Sequence, residues 1–164
     1  MNKAILIFNA GSSSIKFALY SPVDCDLIAK GSIDEIVSGS PHLQISVDRE
    51  AWFHEIGEAP QTGSHQKLSY WLMAYLHGLK SLTLLAAGHR VVHGGKRFSQ
   101  PVLVTSEVIS QLEEYVPLAP NHQPHSLAAI AAISQEWPEL RQVVCFDTAF
   151  HRDQPLVAHQ FAIP

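Results

Sequence analysis

A short run of small polar residues near the N-terminus is the first segment that could do chemistry. Residues 9–14 read Asn-Ala-Gly-Ser-Ser-Ser and supply an amide side chain, three hydroxyl groups and the unobstructed backbone N–H groups around Gly11, with Lys16 two residues beyond. This combination suits a phosphate group. It is neither a Walker loop nor a dinucleotide fingerprint, because both require a helix after the glycines and this loop leads into a predicted strand. A solvated hairpin turn explains the same composition equally well.

A second segment, residues 88–95, places two histidines and an arginine where a strand would otherwise carry apolar residues. Strand alternation puts Arg90 and Val92 on one face. A guanidinium beside an apolar wall suits a small carboxylate with a short apolar tail, because the planar fork of arginine binds carboxylates through two hydrogen bonds. The alternative is an arginine on an edge strand in a surface ion pair. The two glycines that end the segment favour the ligand, since they let another backbone or a ligand approach closely.

His122 and Asp147 complete the set of candidate residues. His122 precedes a predicted helix opened by Pro124, and the free N–H groups and positive dipole end of a helix N-terminus favour anions. A histidine at this place can donate to phosphoryl oxygens. Asp147 directly follows the apolar strand predicted at residues 143–146. In α/β sheets, ligands bind at the carboxyl ends of the strands, so Asp147 is placed to meet one.

The ten histidines of the chain also raise the hypothesis of a zinc site. His89 with His93, and His122 with His125, have a spacing that would allow two ligands to share an ion. Zinc sites usually show a firmer signature of cysteines, histidines or carboxylates than scattered histidines provide. The zinc hypothesis is therefore disfavoured.

The composition fits one soluble globular domain and excludes several classes of protein. The chain has 164 residues, of which 46% are hydrophobic and 16% charged, and its formal net charge is -4. No run of lysines and arginines occurs, so neither a nucleic acid nor an anionic membrane is an expected partner. Two cysteines do not make a disulfide framework, and the first apolar run is too short for a signal peptide. Because no apolar stretch approaches the length of a membrane span, we expect a cytoplasmic protein.

Hydrophobic patterns predict the elements that position these residues. The continuous apolar run of residues 4–8 predicts a strand buried on both faces, and alternation over residues 15–20 predicts a second strand joined to it as a hairpin. Residues 27–33 predict a third strand, and a small β insertion follows at about residues 37–60. The later elements, in chain order, are a helix after Ser64, a strand over residues 82–92, a short strand over residues 101–104, a helix between Thr105 and Pro117, a helix opened by Pro124 and a strand over residues 143–146. This order predicts a mixed α/β layer architecture.

Four segments together resemble successive motifs of the acetate kinase family. They are Ile-Phe-Asn-Ala-Gly-Ser-Ser-Ser-Ile-Lys at residues 7–16, Gly-His-Arg-Val-Val-His-Gly-Gly at residues 88–95, Leu-Ala-Pro-Asn-His-Gln-Pro at residues 118–124 and Phe-Asp-Thr-Ala-Phe-His at residues 146–151. Their order and approximate spacing also match. Because the motifs are collinear and span nearly the whole chain, we expect a member of the acetate, propionate and butyrate kinase family.

The resemblance implies the fold and the domain organisation. The fold would be the ribonuclease H-like domain of the superfamily that unites acetate and sugar kinases, actin and heat-shock chaperone ATPases, an α/β fold with a mixed sheet and helices on both faces. Residues 1–164 would form the N-terminal domain, and the C-terminal nucleotide-binding domain would be absent from this chain. The full-length protein would be a homodimer.

The resemblance also assigns roles to individual residues. It places Asn9 at the Mg²⁺-phosphate site, Ser12, Ser14 and Lys16 along the phosphoryl path, Arg90 and Val92 at the acyl substrate, His122 against the transferring phosphoryl group and Asp147 as the catalytic carboxylate. Family members usually carry a leucine where this chain has Asn121, and that leucine commonly lines the pocket for the acyl methyl group. A strict preference for acetate is therefore not expected.

The implied reaction is reversible transfer of the γ-phosphoryl group of ATP to acetate or a related short-chain carboxylate, which yields ADP and an acyl phosphate, with Mg²⁺ as the cofactor. The fragment alone is expected to be inactive. The short length keeps a second interpretation open, a catalytically silent module that binds phosphate or a carboxylate, or that serves as a partner subunit. A sugar kinase relative is disfavoured, because Arg90 beside a small apolar wall does not suit a hydroxyl acceptor that would need a base.

Overall fold

A mixed sheet of seven strands frames the described part of the chain. The structure is a computed structural model that describes residues 2–36, 42–47, 64–79, 81–151 and 154–159. The strands are β1 (Asn2–Ala10), β2 (Ile15–Tyr20), β3 (Leu27–Asp34), β4 (His42–Val47), β5 (Leu82–Val91), β6 (Val102–Leu103) and β7 (Arg141–Phe146). They lie in the order β4-β3-β2-β1-β5-β7-β6. The central strands β1, β5 and β7 are parallel, and every other neighbouring pair is antiparallel. The predicted mixed α/β architecture is confirmed.

Two of the four helices in the described residues begin at their predicted N-caps, the third begins one residue before the predicted Pro124, and the fourth was not predicted. They are α1 (His65–Gly78), α2 (Ser106–Glu113), α3 (Gln123–Glu136) and the short α4 (Leu156–His159). The Ser64 hydroxyl accepts a hydrogen bond from the backbone N–H of Lys67, and the Thr105 hydroxyl accepts one from that of Val108. Each cap therefore satisfies an N–H group that has no partner inside its helix. The end of α2 differs from the prediction, because the helix stops at Glu113 and Pro117 lies in a separate 3₁₀ turn, Val116–Leu118.

One face of the sheet carries the core. Alternate residues of β1 and β2 pack against apolar residues of α1 and α3, and this cluster includes the fully buried Leu6, Phe8, Ile15, Leu72 and Ile133. A second cluster joins α2 and α3 to the ends of β5 and β7 through Leu112, Ile130, Val91 and Phe146. The three longer helices therefore cover the same face, and they hold the parallel strands in register. The resemblance predicted helices on both faces of the sheet, whereas α1, α2 and α3 all pack on this one face.

The second face of the central strands is largely uncovered. Ile7 of β1 is 41% exposed, and Cys145 of β7 is also exposed. The prediction that β1 is buried on both faces is therefore wrong for the described part of the chain. A cavity of about 480 Å³ opens on this side of the sheet and is lined in part by Asn9, Lys16 and Lys30.

The predicted β insertion is only partly described. Its residues 42–47 form β4, which pairs with β3 and extends the main sheet rather than forming a separate layer. The strand expected at residues 51–56 lies outside the described residues. Within the described residues, no helix is both long and apolar enough to cross a membrane.

Candidate active site

The carboxyl ends of β1, β5 and β7 bring three predicted site residues together. In the parallel register, Phe8 lies opposite His89 and His89 opposite Val144. Asn9 and Arg90 each follow these paired residues by one position, so they lie side by side on neighbouring strands. Asp147 directly follows β7. Parallel strands end at the same edge of a sheet, which is where α/β folds place their ligands.

Arg90 holds this group together. Its Nε donates to Asp147 Oδ1 at 2.9 Å, its Nη2 donates to Asp147 Oδ2, and its Nη1 donates to Asn9 Oδ1 at 3.3 Å. The side chain of Arg90 is 50% exposed and that of Asp147 40% exposed, so solvent reaches the pair. Hydrogen bonding to Asp147 raises the pKa of Arg90 above its ordinary value. The guanidinium of Arg90 therefore stays protonated at every physiological pH.

Sequence analysis left open that Arg90 is an arginine on an edge strand in a surface ion pair, but Arg90 does not lie on an edge strand. Its strand β5 lies between β1 and β7, in the middle of the sheet. A guanidinium has five N–H donors, and the bonds to Asp147 and Asn9 engage three of them among the described residues. One N–H on each terminal nitrogen is left, so the group can still bind a carboxylate.

The Gly/Ser loop is the turn of the β1–β2 hairpin, as predicted. The backbone N–H of Gly11 donates to the carbonyl of Ser14 at 2.9 Å, which closes the turn. Ser12 and Ser13 at its tip are exposed. Lys16 lies opposite Asn9 in the antiparallel register. The loop, Lys16 and the Arg90 group therefore occupy one edge of the sheet.

His122 and Asn121 lie at the N-terminus of α3. His122 occupies the N-cap position, yet its side chain makes no capping hydrogen bond. Its backbone carbonyl accepts from the N–H groups of His125 and Ser126, so the backbone starts the helix and the imidazole is not used for capping. Asn121 is exposed in the preceding turn. Both side chains are placed at the positive end of the helix dipole.

The segment after β5 is packed by the protein itself. Val92 is half-buried, and its carbonyl accepts from the N–H of Thr148 at 3.4 Å. A Cβ on Gly94 would lie 2.8 Å from the ring of Phe146, and one on Gly95, whose φ is +59°, would overlap the ring of Tyr115. The close approach predicted at this glycine pair is therefore made by aromatic rings of the same chain.

The histidines do not form a metal cluster in the described residues. Among those residues, no group of three or more His, Cys, Asp or Glu side chains is arranged to hold a metal ion. His89 is buried, and its Nε2 lies 2.7 Å from Oε1 of Gln142, whose Nε2 donates to Ser134 Oγ at 2.8 Å. Burial lowers the pKa of His89 to about 4. This residue is a neutral core histidine with a satisfied partner.

Comparison with known proteins identifies the family. The sequence profile of the acetokinase family matches residues 4–164. An acetate kinase of Rhodopseudomonas palustris (strain TIE-1) is 43% identical over 169 residues, covering 100% of this chain and 42% of that protein. An acetate kinase of Deinococcus radiodurans is 38% identical and covers 97% of this chain and 39% of its own length.

Solved structures agree with the sequence comparison. The structure of a propionate kinase from Francisella tularensis subsp. tularensis SCHU S4 superposes with a TM-score of 0.81 and 34% identity, over 100% of this chain and 41% of that one. An acetate kinase from Porphyromonas gingivalis gives a TM-score of 0.82 and 32% identity, over 99% of this chain and 41% of that one. The chain thus spans about 40% of the length of its relatives. The family inferred from the four motifs is confirmed, and the chain belongs to the acetokinase family.

Proposed function

We propose that this chain contributes the carboxylate and phosphoryl sites of a kinase that reversibly transfers the γ-phosphoryl group of ATP to acetate or a related short-chain carboxylate. The observation that carries the proposal is the position of Arg90. It is fixed between Asp147 and Asn9 at the carboxyl ends of parallel strands, beside a loop suited to phosphate. In the full-length kinase, this chain is followed by a C-terminal part like that of its relatives.

The acyl substrate binds through its charge and its short tail. The two remaining N–H groups of Arg90 bind the carboxylate, and Val92 and Asn121 contact the tail. A carboxylic acid with a pKa near ~4 is ionised at neutral pH, so its oxygen attacks without a general base. The site needs no group that removes a proton, and its central side chain, Arg90, stays protonated and cannot act as a base.

Phosphoryl transfer requires positioning and neutralisation of charge. A carboxylate oxygen forms a bond to the γ-phosphorus while the bond to the bridging oxygen breaks, and ADP leaves with that electron pair. Negative charge spreads over the equatorial oxygens in the transition state. The N–H groups and hydroxyls of Ser12 and Ser14, the ammonium of Lys16 and the imidazole of His122 stabilise that charge.

The donor set of the site fits Mg²⁺. The side-chain oxygens of Asp147 and Asn9 already converge on one positive charge, that of Arg90. Carboxylate and amide oxygens are ligands of Mg²⁺, which usually takes one or two protein ligands and completes its shell with phosphate oxygens and water. Asn9 and Asp147 would hold the ion, directly or through its waters. When bound, Mg²⁺ neutralises charge on the phosphate groups of the nucleotide.

The domain arrangement is part of the proposal. Residues 1–164 form the N-terminal domain, and a C-terminal domain supplies the adenosine site, as the partial coverage of the relatives supports. The full-length kinase is a homodimer that works in the cytoplasm, where ATP and ADP are available. Light scattering of the purified full-length kinase measures the subunit number.

Arg90→Ala in the full-length kinase tests the proposal. We expect kcat/KM for acyl phosphate formation, measured by hydroxamate detection, to fall by about two orders of magnitude or more, because the guanidinium meets both substrate and transition state. Arg90→Lys should recover little, since an ammonium keeps the charge but lacks the planar fork. Arg97→Ala is the matched control, because Arg97 also pairs with a carboxylate, Glu114 at 3.0 Å, but outside the site.

Two results would overturn the proposal. Near-normal kinetics of Arg90→Ala would reduce Arg90 to a structural ion pair. A full-length kinase that binds phosphate but forms no acyl phosphate from any short-chain carboxylate would favour the silent binding module.

A further inference from the structure

A buried glutamine, Gln123, lies at the start of α3 and directly follows His122. The residue is 0% exposed. Its side-chain Nε2 donates to the backbone carbonyl of His93 at 3.1 Å and to that of Leu112 at 3.3 Å. Leu112 lies in the last turn of α2, and His93 lies just beyond the end of β5. One amide group therefore joins three segments: the start of α3, the end of α2 and the chain that leaves β5.

The two carbonyls fix the orientation of this amide. A carbonyl accepts hydrogen bonds, so the NH₂ group of Gln123 is the one that faces both of them. The oxygen Oε1 is then buried without a hydrogen-bond partner among the described residues. A buried acceptor without a partner destabilises a fold, and an apolar side chain of similar size would fill the same space without this penalty. The contribution of the amide therefore lies in its two hydrogen bonds and not in filling space.

The segment that leaves β5 is tied to a second site residue in a similar way. The N–H of Gly94 donates to the Thr148 hydroxyl at 3.0 Å, and the N–H of Thr148 donates to the Val92 carbonyl at 3.4 Å. Thr148 directly follows Asp147. Residues 92–94 are therefore bonded to the start of α3 on one side and to the chain around Asp147 on the other.

The side chain of Gln123 sets where one proposed substrate contact lies relative to the others. In the proposed function, Arg90 and Val92 hold the carboxylate and its tail, and His122 faces the transferring phosphoryl group. The side chain of His122 makes no capping hydrogen bond, so its place follows from where the backbone of α3 begins. Gln123 is the next residue of that backbone, and it ties this start to the carbonyl of His93, close to Arg90 along the chain.

We infer that Gln123 is a positioning residue for phosphoryl transfer: its hydrogen bonds hold the helix start that carries His122 in place against the strand end that carries Arg90. The inference deepens the proposed function and rests on it. Its distinct claim is that a buried side chain without substrate contact aligns the phosphoryl contact with the carboxylate contact. Groups that are aligned before the reaction need no reorganisation during it, so their alignment affects the rate of transfer.

The same substitution at two buried glutamines separates this role from simple packing. Gln123→Met keeps an unbranched side chain of similar length and removes both donors. Gln142→Met is the matched control, because Gln142 is 5% exposed and its amide also makes two contacts, 2.7 Å to His89 Nε2 and 2.8 Å to Ser134 Oγ. These contacts involve none of the proposed substrate contacts. A general effect of losing a buried amide therefore occurs in both variants.

The expected pattern is specific to alignment. Gln123→Met should move the ¹³C shifts of the His93 and Leu112 carbonyls, measured by NMR on the chain, and lower kcat of the full-length kinase by about tenfold. Gln142→Met should keep kcat within about twofold of the parent, with every protein assayed well below its thermal midpoint. Gln123→Asn keeps a donor on a shorter stem. Its kcat should be that of the parent where the His93 carbonyl shift is unchanged, and lowered where that shift moves.

His122→Ala tests whether Gln123 acts through the start of α3. Two residues that serve one contact have effects that are not additive. We expect His122→Ala to lower kcat by itself and Gln123→Met to lower it by less than about twofold more in that background. A residue that only supports the fold would lower kcat by the same factor in both backgrounds.

Unchanged carbonyl shifts in Gln123→Met would overturn the inference, as would moved shifts with normal kcat in either Gln123 variant. Equal losses of kcat in Gln123→Met and Gln142→Met would also overturn it, and so would normal kcat of His122→Ala or a full additional loss when Gln123→Met is added to it. Should Gln123→Met not fold, Gln123→Asn and hydrogen exchange of the Gln123 NH₂ group in the parent decide: slow exchange is expected, and exchange as fast as that of an exposed amide overturns the inference. A parent that forms no acyl phosphate refutes the proposed function itself, and the parent alone reveals this.

Discussion

Asn121 is exposed in the turn that leads into α3, one residue before His122. In the proposed acyl site it stands where relatives usually place an apolar side chain, so it makes the wall of the pocket more polar. We expect Asn121→Leu in the full-length kinase to raise kcat/KM for acetate or propionate relative to glycolate or lactate. One methylene in an apolar pocket is worth ~1–3 kcal/mol of discrimination, so the ratio should change by about tenfold.

The comparison needs only steady-state kinetics with the four acids and one unchanged ATP concentration. If the ratios stay within about twofold of the parent, a difference of ~0.4 kcal/mol, Asn121 does not line the pocket. The substitution would then be a neutral change at the helix entrance.

His89 gives the chain an acid-sensitive core. Its pKa is lowered to about 4 by burial, whereas an unfolded histidine has a pKa of 6.5. Between these two values the unfolded chain binds the proton and the folded chain does not, so the free energy of unfolding falls as the pH is lowered. The loss begins below pH 6.5 and is complete near pH 4, and it amounts to roughly 3 kcal/mol for this residue. Urea denaturation of the chain between pH 7 and pH 4.5 measures it.

The test of this assignment uses two variants. His89→Gln keeps a polar partner for Gln142 but cannot take up the proton, so its stability should depend less steeply on pH. His77→Gln removes a histidine whose side chain is 54% exposed and lies 3.3 Å from Glu136, so this variant shows how much of any change comes from removing a surface histidine rather than a buried one. Equal slopes for the parent and His89→Gln would contradict the assignment.

The sequence predicted the residue types of the site better than their contacts. The guanidinium of Arg90 was expected to meet a substrate carboxylate, and this stays a prediction. The strand ends that carry Asn9 and Asp147 were placed correctly. The bond from Arg90 to Asp147 was not predicted, because it depends on the β5–β7 register, which residue spacing does not contain.

The turn after β5 has no room for a side chain at Gly94. A Cβ on Gly94 would lie 2.8 Å from both the Phe146 ring and the Phe98 carbonyl oxygen. The carbonyl belongs to the backbone and cannot rotate away, so the turn itself would have to shift. We expect Gly94→Ala to lower the free energy of unfolding by ~1–3 kcal/mol, the usual effect of overpacking. Chemical denaturation of the chain measures the change.

Gly78→Ala is the matched control for this prediction. Gly78 is the last residue of α1, and nothing lies within 4 Å of a Cβ added there. Alanine is the better helix former, so this variant should be as stable as the parent or more stable by up to ~1 kcal/mol. A Gly94→Ala variant as stable as Gly78→Ala would mean that the turn adjusts freely.

Patterns of apolar residues predicted the elements well, because caps and periodicity are local properties. They predicted burial less well. The apolar run of β1 was expected to be covered on both faces, yet Ile7 is 41% exposed and Leu85 of β5 is 43% exposed. A continuous apolar run indicates a strand whose two faces are both buried. It does not indicate which part of a protein packs against each face.

At the scale of the whole molecule, the site is built at one edge of the sheet. The carboxyl ends of β1, β5 and β7 and the β1–β2 loop meet there, and the start of α3 is joined to this edge by the hydrogen bond from Gln123 Nε2 to the His93 carbonyl. Strand ends contribute Asn9, Arg90 and Asp147, while helix N-termini contribute partial positive charge. In the proposed function, this arrangement provides the sites for a carboxylate and for a phosphoryl group. The described residues show no comparable set of contacts for an adenosine group.

The chain on its own should therefore bind the small substrates but not complete the reaction. Its relatives are more than twice as long, and the chain aligns with 42% of the acetate kinase of R. palustris. We expect no acyl phosphate above the no-enzyme background in the hydroxamate assay with ATP, Mg²⁺ and acetate, and no micromolar affinity for ATP by calorimetry. Inorganic phosphate should still shift the NMR signals of the Ser12 and Ser13 amides, which shows that the chain is folded and its loop competent. The full-length kinase, assayed in parallel, is the positive control. Turnover by the chain alone, or micromolar binding of ATP, would mean that an adenosine site lies within these 164 residues.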